Sequence, residues 1–175
     1  MPEDQIAKKN DRWFHRIPEL ERGSRFPSLA PEKAEKLFDE ILGAGEPAIS
    51  GIIDGLNEVD DGKDWKARFV LGALASYVGS AGREERRKSL EQAFIKALQG
   101  DRPAPVKTFL VMQLQWFAGA ASAAAIAAQL GSDSNPLIDA SVATLVAIGD
   151  PGREALGGAR KKAVGHALTA IEHAL

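Results

Sequence analysis

Apolar residues along this chain recur at intervals of three and four, the spacing that gathers them on one face of a helix rather than alternating across a strand. The pattern predicts helical segments over about 31–43 (Leu37, Phe38, Ile41, Leu42), 47–58 (Ile49, Ile52, Ile53, Leu56), 65–78 (Phe69, Val70, Leu74, Tyr77) and 83–99 (Leu90, Phe94, Leu98). It continues over 105–118, where Phe109, Leu110, Leu114 and Phe117 form one stripe and Met112 and Trp116 flank it. The segment 120–130 is nearly all alanine, with Ile126 and Leu130, and 136–148 carries Leu137, Ile138, Val142, Leu145 and Ile148. The fifth segment is apolar on most sides, so it is expected in the middle of the structure.

Proline and glycine punctuate this pattern. Pro31, Pro47, Pro105, Pro136 and Pro151 stand at helix starts, where a missing N–H costs nothing. Gly43, Gly79, Gly100, Gly119, Gly131 and Gly149 stand at helix ends, where glycine accepts positive φ. Asn135–Pro136 reads as an N-cap and first helical residue, and Asp64 as a further N-cap after the acidic loop Val59–Asp64. The last stretch, Pro151–Leu175, has two readings. Leu156, Ala159, Ala163, Ala167, Ile171 and Ala174 keep helical phase across Gly157–Gly158. Two adjacent glycines cost a helix interior about 2 kcal/mol relative to alanine. The stretch is therefore one long helix with a weak point there, or a short helix followed by a second one starting near Ala159.

The segments repeat. Aligning Phe69 with Phe109 places Val70 on Leu110, Leu74 on Leu114, Tyr77 on Phe117 and Gly79 on Gly119. Aligning Pro105 with Pro136 places Leu114 on Leu145 and Phe117 on Ile148, so the offsets are 40 and 31 residues. Odd helices match odd helices. The unit is a helix pair, the period and unit of helical solenoids.

The segment Val142–Leu156, VATLVAIGDPGREAL, resembles a HEAT repeat of the bilin-lyase type, with a short Gly-Asp-Pro turn between two helices. Residues 105–131 resemble it less strictly, 64–100 less still, and 31–58 only in rhythm. Ala159–Leu175 resembles the first helix of a further unit. The resemblance implies an all-α, right-handed α-solenoid of about four HEAT-like helix pairs, at about 31–63, 64–104, 105–135 and 136–175. Residues 1–30, with Trp13, Phe14, Ile17, Leu20 and Phe26 as apolar anchors, are expected to cap the first repeat. The family implies architecture and not activity, because such arrays serve many unrelated roles.

Composition narrows the chemistry. The 175 residues are 45% hydrophobic and 26% charged, the balance of a globular protein with a sizeable core. There is no cysteine, which excludes disulfides, thiolate nucleophiles, zinc knuckles, iron–sulfur clusters and covalent haem attachment. The N-terminal MPEDQIAKKNDRWF lacks the apolar core of a secretory signal, so a cytoplasmic location is expected. Residues 108–128 are long enough for a membrane span, but Gln113, Gln115, Gly119 and the alanine-rich second half favour a buried helix pair and no membrane contact. The net charge is −2. Residues 32–64 hold ten acidic and three basic residues, a balance of −7, whereas 65–112 hold nine basic and four acidic, a balance of +5. A polarised surface is expected.

Candidate chemistry is sparse. His166 and His173 lie two helical turns apart beside Glu172, a long reach for one metal ion. HEAT-like deoxyhypusine hydroxylases hold iron with His-Glu dipeptides, a pattern that His15, His166 and His173 do not reproduce. No metal or other cofactor is expected. No Gly-x-Ser-x-Gly, phosphate-binding loop or dinucleotide fingerprint occurs, and no catalytic residue or enzymatic activity is expected.

Two basic clusters remain: Arg83, Arg86, Arg87 and Lys88 at the start of the fourth segment, and Arg160, Lys161 and Lys162 in the last. In HEAT-like arrays the second helix of each pair lines the concave face, and both clusters fall on second helices. Basic residues at a helix start also oppose the helix dipole, which hints at a use. Together they suggest a groove for an acidic protein segment. The function expected is a non-catalytic protein–protein interaction scaffold. Alternatives are a nucleic-acid-binding role like that of HEAT-like DNA glycosylases, disfavoured by the acidic balance, and a bilin-lyase-like subunit. Trp116 and Met112 become a partner hot spot if their side of the fifth helix is open. The apolar end at Ala174–Leu175 suggests self-association through the last helix.

Overall fold

A computed structural model describes residues 10–24, 26–58 and 62–175. The start of the acidic loop, 59–61, and residues 1–9 and 25 of the expected cap lie outside the described residues. The regular elements among the described residues are all helical, with no strand. The chain forms two compact units, Met1–Ala93 and Phe94–Leu175.

The first unit contains a helical turn at residues 10–14 and helices α1 (Pro31–Gly43), α2 (Glu46–Ile53) and α3 (Trp65–Gly79). Helix α4 (Glu84–Gln99) contributes residues to both units. Leu37, Phe38, Ile41 and Leu42 are buried along α1, the face their spacing predicts. Helix α2 buries Ile49, Ile52 and Ile53 but ends before residue 58, and Leu56 is buried from the turn beyond it. Trp13 and Ile17 are buried, and the Asn10 amide donates to the Gly51 carbonyl at 2.7 Å, tying this segment to α2. Leu20 and Phe26 are exposed instead of anchoring.

Asp64 occupies the N-cap position of α3, but its carboxylate makes no capping bond. It accepts from the Asn57 backbone N–H and from Arg68 Nε, each at 2.9 Å. A carboxylate with no solvent exposure needs both partners, and the pair fastens the loop's end to α3.

The second unit contains α5 (Ala104–Leu114), α6 (Ala120–Ala127) continuing into a 3-10 turn at Ala128–Gly131, α7 (Asn135–Ile148), α8 (Asp150–Arg160) and α9 (Gly165–Ala174). Helix α7, not α5, is the packing centre: α5, α6, the 3-10 turn, α8 and α9 all pack on it. One flank of α5 faces α7, where Thr144 donates to the Val111 carbonyl at 3.1 Å, and the stripe of Pro105 and Met112 is exposed. Apolar residues on every side of a helix do not say which side its neighbours will cover.

Three further expectations change. Of the six closing glycines, only Gly149 has positive φ, at +84°, where it ends α7 and precedes α8. The N-cap of α7 is Ser134, with Asn135 already helical. The last stretch is two helices, but Gly157–Gly158 lies inside α8, and the helical run is interrupted at 161–164. Val164 is extended and Gly165 has φ +55°, a turn that glycine permits. Fully buried Leu156 and close packing at Gly152 hold α8 against α7 through the weak point. A Cβ on Gly152 would lie 1.8 Å from the Leu145 carbonyl oxygen.

Within the second unit, burial repeats at the offset of 31. Val106, Leu110, Val111 and Leu114 are buried, as are their equivalents Leu137, Ser141, Val142 and Leu145. Met112, Gln115 and Trp116 are exposed, as are Ala143, Val146 and Ala147.

Candidate functional site

Two of the four residues in the basic cluster at the start of α4 are held by acids of α1. Arg86 donates to Asp39 at 2.5 Å and Arg83 to Glu35 at 3.1 Å, both on α1. Arg83 also stacks its guanidinium 3.5 Å from the centre of the Tyr77 ring. Tyr77 meets Phe38 edge-on at 5.5 Å and donates its hydroxyl to Asp39 at 2.6 Å. Arg87 turns the other way and donates to the carbonyl of Val78 at 2.8 Å. Lys88 is exposed.

This arrangement has electrostatic consequences. Partial burial, the hydrogen bond to Asp39 and the charge of Asp39 push the Tyr77 phenol above its usual value, against a smaller opposing effect of Arg83 and Arg86. Glu84, at the helix start, is held below the ordinary carboxylate range by backbone N–H groups, its own and that of Gly82, which lies 3.2 Å away. The basic residues at an unfavourable helix end thus have a local reason: α1 presents carboxylates to them. Part of the charge polarity along the sequence is internal pairing between α1 and α4.

The second cluster lies at the opposite kind of helix end. Arg160 is the last residue of α8 and pairs with Glu172 of α9 at 2.9 Å. Lys161 and Lys162 follow in the turn, both exposed, at the end where positive charge suits the helix dipole. Beside them is a cleft of about 330 Å³ whose lining is mixed, with Leu130, Ile138 and Val164 alongside Asp133, Lys162 and His166. Val164 is 79% exposed there. The His166 Nε2 lies 2.6 Å from Asp139 Oδ1, joining α9 to α7.

The spacing of Leu156, Ala159, Ala163, Ala167 and Ile171 did not single out Val164, which lies off that stripe and is exposed. It also missed Tyr77, Glu35 and Asp39 as partners of the arginines, although the adjacent acidic and basic blocks carried that signal.

Met112 and Trp116 are exposed, at 47% and 62%, so their side of the fifth helix is open. A larger cleft of about 450 Å³ in the first unit is lined by Phe14, Trp65, Asp54 and Lys66 among others. His173 is exposed on α9. Among the described residues no three His, Cys, Asp or Glu side chains are grouped to hold a metal ion. Nor is any described helix long and apolar enough to cross a membrane, and residues 108–128 divide between α5 and α6. No protein-family model matches the chain. No curated protein matches it with significant similarity.

Proposed function

We propose that the chain is a HEAT-like, right-handed α-solenoid acting as a non-catalytic protein–protein interaction scaffold, with its partner held on the face lined by the second helix of each pair. The repeated burial of α5 and α7 at an offset of 31 supports the helix-pair architecture. The observation that carries the binding role is the turn after α8. Lys161 and Lys162 are presented to solvent beside the exposed Val164 and a cleft of mixed polar and apolar lining. Two adjacent ammonium groups beside an exposed valine suit an acidic segment that also carries an apolar residue. Of the seven basic candidates, these two and Lys88 are the exposed ones without a bond to an acid or carbonyl described above. Arg83, Arg86, Arg87 and Arg160 support the surface by holding helices together.

The test is affinity capture from lysate of the source cell, with the full chain as bait. Lys161→Glu with Lys162→Glu should lose a protein partner while the melting temperature stays unchanged. Arg86→Glu should retain the partner at a lower melting temperature. Loss of capture by Arg86→Glu alone would overturn the assignment. Recovery of nucleic acid that leaves with nuclease and moderate salt would replace this reading with the nucleic-acid one, because phosphate contacts weaken steeply with salt.

A further inference from the structure

The second unit has another cleft, of about 240 Å³, which shares Gly131 and Ser132 with the one beside Lys162. Its charged lining is of one sign. Arg102 and Lys107 border it, and none of its lining residues is acidic. Lys107 is half-buried, and its ammonium has no hydrogen bond or ion pair within the chain. Helix α5 begins here with Ala104 in the lining, and Pro103 in the capping position gives its first N–H groups no side-chain partner. Ser132 Oγ accepts from the Ser134 N–H at 3.1 Å, which leaves its own hydrogen to donate.

Gln129 supplies the opposite chemistry from the inside. It is only 8% exposed. Its amide nitrogen donates to the carbonyls of Leu98 at 3.2 Å and Ala125 at 3.1 Å, which fixes the orientation of the amide. The amide oxygen, Oε1, then accepts no hydrogen bond within the chain. No enclosed side-chain oxygen among the described residues lacks a partner, so Oε1 reaches open space, and Gln129 lines this cleft. An acceptor buried to this degree is costly to leave without a donor.

We propose that this cleft binds a hydrogen phosphate group, either free or as the head of a small monoester. Two features select it. One is the set of donors. Arg102, Lys107, Ser132 and the start of α5 offer more hydrogens than the two coplanar oxygens of a carboxylate take up, whereas a tetrahedral oxyanion presents oxygens in several directions. The other is the lone acceptor. Sulfate has the same shape but no hydrogen to give Gln129 Oε1, and a protonated phosphate has one. The site is separate from the Lys161–Lys162 turn, and either stands without the other.

Amide NMR on the isotope-labelled full chain tests this, in titrations with inorganic phosphate, sulfate and acetate at one ionic strength and about pH 6, where a phosphate keeps a proton. Phosphate should saturably shift the amides of Ala104, Gly131 and Ser132, which line the cleft. It should bind at least about fivefold tighter than sulfate, the worth of one hydrogen bond, although sulfate carries more charge. Lys107→Met should weaken phosphate about tenfold, as loss of a charged donor does. Its melting temperature should stay unchanged, because the Lys107 side chain has no partner in the chain. Lys161→Glu with Lys162→Glu should leave the shifts in place. Glycerol phosphate separates the two sources of the group: tighter binding than the inorganic ion points to a monoester, weaker binding to free phosphate. Shifts that do not saturate, sulfate or acetate binding as tightly as phosphate, or wild-type affinity in Lys107→Met would each overturn the proposal. So would loss of binding in the Lys161 and Lys162 reversal alone, which would move the anion to the neighbouring cleft.

Discussion

Tyr77 of α3 donates its hydroxyl to Asp39 of α1 at 2.6 Å, and Asp39 also takes Arg86 of α4 at 2.5 Å. One carboxylate therefore links three helices of the first unit. The sequence separations are 38 and 47 residues, so none of these bonds belongs to a local motif.

The protonated phenol is the form the fold favours, and its pKa is raised above the usual 10.0. The Tyr77 contribution to stability is full below the unfolded-state value. It is lost as pH rises through the higher folded-state value. Wild-type melting temperature should fall above about pH 10 more steeply than that of Tyr77→Phe. At neutral pH the phenylalanine variant should be less stable by about 1 kcal/mol, the value of one hydrogen bond. Parallel alkaline slopes for the two proteins would show that the bond is not formed.

Reversing Arg86 acts on the same carboxylate. Arg86→Glu removes a pair whose side chains are both nearly half exposed and sets two acids together. The expected loss is about 1 kcal/mol, small because solvent screens the site. It should shrink as salt is added, measured by urea denaturation at two ionic strengths.

Gly152 has no room for a side chain. A Cβ there would meet the Leu145 carbonyl oxygen at 1.8 Å, and backbone cannot step aside cheaply. Gly152→Ala should cost about 2–4 kcal/mol by forcing α8 off α7. Chemical denaturation of the variant measures it, and a wild-type midpoint would contradict the close approach.

Gly158 is the opposite case. It lies within α8, exposed, with nothing within 4 Å of an added Cβ. Gly158→Ala should therefore stabilise the protein by about 0.5–1 kcal/mol through helix propensity and unfolded-chain entropy. A destabilised variant would mean that the helix does not run through the glycine pair.

Local signals determined the helices. Spacing of Leu37, Phe38, Ile41 and Leu42 picked out the buried face of α1, and the same reasoning found Leu137, Ile138, Val142 and Leu145 on α7. The offset of 31 between α5 and α7 was readable as aligned prolines and leucines, and it reappears as matched burial. These features depend on residues within a few turns of one another, which is the range over which a sequence pattern acts.

Tertiary structure decided what faces what. The apolar circumference of α5 gave no sign that α7 would cover Val111 and leave Met112 and Trp116 open. The doubled glycine at 157–158 predicted a weak point, but the packing of Leu156 and Gly152 kept α8 whole and moved the break to the turn before Gly165. Two similar basic clusters diverged for the same reason. Arg83 and Arg86 find Glu35 and Asp39 far away in sequence, while Lys161 and Lys162 are left facing solvent. A side chain's type sets what it is able to bond. Whether a partner stands within reach is settled only when distant helices pack, and composition and spacing do not record that distance.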